Sequence, residues 1–296
     1  MTNTDLIERI CAYVDRKDHW GVPMETELPG FFILATKEPT ALECYLYHAV
    51  VCLILQGHKE TMLGERVIEY GEGSSVINSH DLHVNARVTE ASAAKPYLAV
   101  VLTIDLDLIR SLYNEVEESR MTGEQAGALE ISDTDPALLN AMARYFDLLD
   151  NPADAKVMAP LILKEIHYRL LTAPHGGMLR KLVQRNSPAS RISRAIQTIR
   201  QDFAEPLAVA ELADAAGMSA SSFHEHFKTI TATTPLQYQK DLRLMEARRL
   251  LSEGQLSVST AAFEVGYESP TQFSREYSRK FGVSPSRDLP REAVAV

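Results

Sequence analysis

Cys44, Tyr45, Tyr47, His48 and Cys52 stand close together in the first third of the chain. Thiol, phenol and imidazole groups gathered this way could line a small-molecule pocket. A thiol of depressed pKa could also react with electrophiles or oxidants, whereas a buried cysteine of ordinary character only packs. Cys44 and Cys52 are an even eight residues apart, but a turn between them leaves their faces open. Other chemistry is sparse. His80 and His83 are three apart, a spacing that puts them on opposite faces of a strand. His48 and His58 have no carboxylate at a metal-binding spacing. There is no GxSxG, HExxH, phosphate loop or dinucleotide fingerprint. No catalytic residue, metal or cofactor is therefore expected.

Composition bounds the elements that hold these residues. The 296 residues suggest two domains of ordinary size. With 45% hydrophobic and 24% charged residues, the chain is neither collagenous nor largely disordered. Three cysteines without a CxxC pair exclude a disulfide framework and argue against structural zinc. The longest apolar run, 49–55, is far short of the ~18 residues a membrane span needs. The charged first 20 residues do not form a signal peptide, so a cytoplasmic protein with no membrane partner is expected. From Ser187 onward there are 13 basic and 13 acidic residues, so the whole net charge of −10 lies upstream. Two halves of such different charge suggest two different tasks.

The apolar stripe Leu6, Ile7, Ile10, Tyr13 and Val14 predicts a helix over 3–18. Short β-branched and aromatic segments follow at 31–36, 42–56, 59–63, 66–70, 75–77, 83–89 and 97–104. Glycines punctuate them, as in an all-β sandwich or barrel. Residues 105–186 then read as helical, with one stripe through Leu106, Ile109, Leu112, Tyr113 and Val116 and a second through Leu139, Met142, Phe146 and Leu149. A third helix, around 153–171, is apolar on more than one side, which suits either a homodimer interface or packing on the barrel. Asn186-Ser187-Pro188 marks a domain boundary.

Beyond it the chain repeats itself. Ala213, Gly217, Phe223 and Phe227 recur as Ala262, Gly266, Phe273 and Tyr277, at offsets of 49, 49, 50 and 50. Each copy reads as a helix, a turning glycine, an N-capping serine (Ser219 or Ser269) and a second helix with an aromatic inner face. That is the helix-turn-helix arrangement, whose second helix enters the DNA major groove. Between the copies, Thr234-Pro235 opens a helix of ~19 residues, and Gln237 offers to complete a capping box. Leu244, Ala247, Leu250 and Leu251 would pack while Arg243, Arg248 and Arg249 stay in solvent.

From Ser190 to Arg291 the chain resembles the DNA-binding domain of AraC/XylS-type transcription regulators, through LADAAGMSASSFHEHFK, TPLQYQKDLRLMEARRLL and AFEVGYESPTQFSREYSRKFGVSP. The preceding region resembles the N-terminal domain of one AraC subgroup, through LPGFFILATKEPT, VVCLILQGHKETMLGERVIEYGEGSSVINSHDLHV and KPYLAVVLTID. The resemblance implies an α+β protein. A cupin-like β-barrel with flanking helices (1–186) would bind an effector and dimerise. An all-α domain (187–296) would carry helix-turn-helix motifs at about 209–230 and 258–281, joined by the long helix. It implies a sequence-specific regulator of transcription whose partners are promoter DNA, a small-molecule effector, a second copy of the chain and RNA polymerase. By place in the motif, Ser221, Ser222, His224 and Glu225 of the first recognition helix would face DNA, as would Thr271, Gln272, Ser274, Arg275 and Arg279 of the second. Arg suits guanine, Gln adenine and Glu cytosine N4. Glu225 departs from the pattern, because a carboxylate repels phosphate. In the cupin turn Gly71-Glu72-Gly73, Val76 stands where a metal-ligand histidine is expected. The rival reading is a cupin-type metalloenzyme with a helical targeting domain.

Overall fold

The computed structural model describes residues 3–21, 23–117, 127–254 and 256–288. The chain forms two compact units that meet at Ser187 and Pro188.

The first unit opens with α1 (Asn3–Lys17), which buries Leu6, Ile10, Tyr13 and Val14 and leaves Ile7 half exposed. Nine strands follow: β1 (Pro23–Glu25), β2 (Phe31–Thr36), β3 (Glu43–Tyr47), β4 (Val50–Gln56), β5 (His58–Leu63), β6 (Arg66–Gly71), β7 (Ser74–Asn78), β8 (Leu82–Glu90) and β9 (Tyr97–Thr103). With β10 (Leu129–Asp133) they make two antiparallel sheets, ordered β1-β2-β9-β4-β7-β10 and β3-β8-β5-β6. Strand β9 pairs on both edges and buries six of its seven residues, as its unbroken apolar sequence requires. Strand β8 alternates instead, with Leu82, Val84, Ala86 and Val88 turned inward.

The remaining helices of this unit are α2 (Leu106–Glu115), α3 (Pro136–Asp147), α4 (Pro152–Thr172) and α5 (Gly177–Val183). Asp105 and Asp135 cap α2 and α3 with their carboxylates. Residues 105–186 are therefore not wholly helical: β10 lies among them, paired with β7 from Leu129↔Asn78 to Asp133↔Ser74. Helix α4 buries Ala159, Ile162, Ile166, Leu170 and Leu171 but leaves Val157 (67%), Met158 (41%) and Leu161 (59%) exposed.

The second unit is helical: α6 (Pro188–Gln201), α7 (Val209–Ala215), α8 (Ala220–Thr231), α9 (Pro235–Ser252), α10 (Val258–Glu264) and α11 (Pro270–Phe281). Helix α9 has 18 residues, about 27 Å at 1.5 Å per residue. Its Leu244 and Ala247 join Ala262, Val265, Tyr267, Phe273 and Tyr277 in one buried cluster, edged by Leu250 and Leu251.

Candidate DNA-binding interface and barrel pocket

The two helix-turn-helix units are built alike. In the first, α7 buries Leu212 and Ala213, Gly217 turns at φ +61°, and the Ser219 hydroxyl accepts from the Ser222 N–H to start α8. In the second, α10 buries Ala261 and Ala262, Gly266 turns at φ +82°, and Ser269 accepts from the Gln272 N–H to start α11. Phe223 and Phe227, like Phe273 and Tyr277, are fully enclosed and fix which face of each second helix stays outside.

Two arginines hold these turns: Arg191, which sequence reasoning did not single out, and Arg243. Arg191 of α6 donates through Nη1 to the Ala216 (3.1 Å) and Gly217 (2.9 Å) carbonyls. Arg243 does not stay in solvent as expected. Half-buried, it donates to the carbonyls of Phe203 (2.7 Å), Gly266 (2.8 Å), Ala204 (2.9 Å) and Glu205 (2.9 Å). It thereby ties the loop before the first motif to the turn of the second. Burial lowers its pKa against the pull of Tyr267 and Glu205. Arg248 is likewise engaged, with Asp288. Arg243 stands four residues before the inward Ala247, and that spacing was the available signal.

The capping box expected at Gln237 does not close, and its counterpart at Gln272 does not close either. Thr234 and Ser269 cap as expected, but Gln237 Nε2 reaches forward to Asp241 (3.0 Å) and Gln272 Nε2 to Glu276 (3.2 Å). Glu276 also accepts from Lys240 (3.0 Å) and Tyr267 (2.8 Å). Burial works against its charge, but the three donors hold its pKa below the usual carboxylate range.

Of the residues expected to face DNA, Ser221, His224, Glu225, Thr271, Gln272, Arg275 and Arg279 are exposed, and Ser222 and Ser274 are half-buried. The Ser274 hydroxyl donates back to the Pro270 carbonyl (2.8 Å), leaving it as an acceptor outward. Arg275 and Arg279, one turn apart on α11, have no hydrogen-bond or ion-pair partner among the described residues. Their counterparts on α8 are Glu225 and Thr229, so the second recognition helix carries the stronger attraction for a polyanion.

In the first unit a pocket of about 90 Å3 lies between the two sheets. Tyr45, Tyr47 and Cys52 line it as expected, whereas Cys44 and His48 do not. On β3 the side chains alternate, so Tyr45 and Tyr47 share a face and Cys44 takes the other. His48 lies beyond the strand end, with Nδ1 2.9 Å from the Asp81 carboxylate. The area that Cys52 exposes faces this pocket. Burial pushes its thiol up to about 11 despite nearby Lys59, so it is a thiol and not a thiolate at neutral pH. Val76 also lines the pocket.

The pocket contains groups that sequence reasoning missed. Lys59, on inward-facing β5, is 9% exposed, and its ammonium lies 5.2 Å from the Tyr47 ring centroid and 6.0 Å from that of Tyr45. Burial opposes its charge, while Tyr47 and Cys52 favour it and hold its pKa above the ordinary lysine value. The hydroxyls of Tyr47 and Tyr97 and the Oδ1 of Asn78 are buried without a hydrogen-bond partner. The Asn78 amide nitrogen is occupied by the His48 and His80 carbonyls, which fixes the direction of Oδ1. Parity on β5, where Lys59, Thr61 and Leu63 alternate with exposed or half-exposed residues, was the signal for Lys59.

Two helix-turn-helix motifs on one helical scaffold, in a chain that also has a unit of two antiparallel sheets around a pocket, define a DNA-binding regulator with a second, pocket-bearing unit. Residues 27–178 match the N-terminal region of AraC-type transcriptional regulators, and residues 212–290 match a helix-turn-helix domain family. The chain belongs to the AraC family of transcriptional regulators. These are families of regulators, not enzymes. Among curated relatives, the virulence regulon transcriptional activator VirF of Yersinia enterocolitica is 24% identical over 179 residues, 60% of this chain and 64% of VirF. The regulator CdhR of Pseudomonas aeruginosa is 34% identical over 136 residues (45% and 38%), and AlkR of Acinetobacter baylyi 39% over 94 residues (32% and 31%). The chain thus spans under two thirds of each of these relatives. Among solved structures, ToxT of Vibrio cholerae strain SCE256 with a bound unsaturated fatty acid has the same fold, at TM-score 0.59 and 11% identity, over 92% of this chain and 100% of that one. ToxT bound to (E)-4-(8-methylnaphthalen-1-yl)but-3-enoic acid gives a TM-score of 0.57 at 12% identity, over 87% and 97%. No described helix is long and apolar enough to cross a membrane.

Proposed function

We propose that this regulator is controlled by a small-molecule effector held between its two sheets, and that its occupancy changes how the helix-turn-helix unit engages promoter DNA. The observation that carries the reading is the pocket between the sheets, with buried, unpartnered polar groups, in a chain that also bears a duplicated DNA-binding motif. Buried polar groups need hydrogen-bond partners, and a ligand in the pocket can supply them. The acids bound in the ToxT structures support a small-molecule role for this fold.

In this reading Arg275 and Gln272 contact bases. Arg279, Thr271, Ser274, Ser221, Ser222 and His224 contact bases or phosphates, and Glu225 tolerates only a cytosine partner. Gln272 gives up its bond to Glu276 to pair bidentately with adenine. The exposed Val157, Met158 and Leu161 of α4 pair with a second copy of the chain in the cytoplasm, and RNA polymerase is met at the promoter. Effector control is a population shift between arrangements of differing DNA affinity.

Mapping bound sites across the source genome and placing one upstream of a reporter tests this. Reporter output should change with a metabolite of the adjacent genes. Ala86→Phe, which fills the pocket, should abolish the response and retain DNA binding. A filled pocket with the response intact would refute effector control through this site.

A further inference from the structure

We infer that the ligand of the barrel pocket is a compact carboxylate whose anion pairs with Lys59, a statement that rests on the pocket being the effector site. Lysine is almost never this buried without a counter-ion. Lys59 forms no ion pair among the described residues, and no aspartate or glutamate lines the pocket. The other cation there, Arg87, is already paired with Glu60 at 3.1 Å. The rings of Tyr45 and Tyr47 attract the ammonium through their π faces but do not neutralise it. The pocket therefore holds one uncompensated positive charge.

The surrounding groups suit one head group. The hydroxyls of Tyr47 and Tyr97, both without partners, can donate to carboxylate oxygens. Much of the remaining lining is apolar, with Leu34, Val50, Val76, Val88 and Val101. At about 90 Å3 the space is smaller than the roughly 150 Å3 cavity that takes up benzene. A single ring or a short branched acyl group suits this space after small side-chain adjustments. A covalent link to Lys59 is not needed, because a protonated amine is not a nucleophile.

The test uses the full chain, with calorimetric binding and thermal unfolding in the presence of benzoate, 3-methylbutanoate and their neutral amides. The acids should bind and raise the melting temperature, and the amides should not. Lys59→Met should lose roughly ten- to a hundredfold in affinity for the acids. Without ligand it should melt at or above the parent, because an unpaired buried charge has been removed. Tyr97→Phe, which keeps the lysine, should weaken the acids roughly fivefold and provides the readout should Lys59→Met not fold. Amides binding as well as acids, or acids binding Lys59→Met unchanged, would overturn the anionic ligand and leave the pocket as an effector site. Neither acids nor amides binding would overturn this inference, and a reporter that still responds in Ala86→Phe would separately overturn the pocket itself.

Discussion

Replacing Arg243 by alanine should destabilise the helix-turn-helix unit more than any other removal of a surface-reachable charge. Its guanidinium donates to four carbonyls at 2.7–2.9 Å, three in the 203–205 loop and one at Gly266. A hydrogen bond from a charged donor is worth roughly 1.5–3 kcal/mol, and the site is half open to water, so the sum is discounted to about 3 kcal/mol. For a domain of this size that lowers the melting temperature by roughly 12–20 °C. Arg243→Lys should recover less than half, because an ammonium cannot span four acceptors from one atom. Thermal unfolding of the full chain, followed by far-ultraviolet circular dichroism, reads the effect, and DNA affinity should fall with it. A melting temperature for Arg243→Ala within about 2 °C of the parent would refute the clamp.

Further expectations concern individual residues. At Gly266 an added Cβ would lie 2.0 Å from the Ala204 carbonyl oxygen, whereas at Gly254, also at positive φ, it would meet nothing. Gly266→Ala should therefore cost well over the roughly 1–2 kcal/mol of left-handed strain that Gly254→Ala incurs, measured by denaturant unfolding. Arg275→Ala should lose roughly 1–3 kcal/mol of DNA discrimination at one base pair with an unchanged melting temperature. A uniform loss across sequences with a flatter salt dependence would make it a phosphate contact instead. Phe273→Ala should lower stability itself by roughly 3–5 kcal/mol. Burial lowers His175 from 6.5 to about 4, so it stays neutral in the fold while the unfolded chain takes up a proton. Its contribution is complete above pH 6.5 and is lost as pH falls towards 4. His175→Gln should flatten the melting-temperature profile across that window.

The duplicated motif was legible because its determinants are local. A glycine that must turn, a serine that must cap and two aromatics four residues apart recur at nearly constant offset. The strands were legible where β-branched runs end at glycines. Strands β1 and β10, of three and five residues, are too short to show a period. The single run read at 42–56 is two strands in different sheets. The pocket was half legible: Tyr45, Tyr47 and Cys52 were found, but Cys44 and His48 were grouped with them by proximity in sequence, which parity and the strand end override. Lys59 went unnoticed because composition places lysine outside, and only the pairing of β5 between β6 and β8 turns it inward. Arg243 was misread for the same reason, since its acceptors lie some 23 to 40 residues away.

The central claim is that one chain reads DNA with two helix-turn-helix motifs set by a common helix. Selection of binding sites by the full chain from a random duplex library tests it most directly. With α9 about 27 Å long between the motifs, the selected sequences should contain two conserved elements about one helical turn, ~10 base pairs, apart. The element whose preference disappears with Arg275→Ala should be the stronger of the two. Recovery of no shared sequence, or of a single element unaffected by changes in α11, would contradict the account.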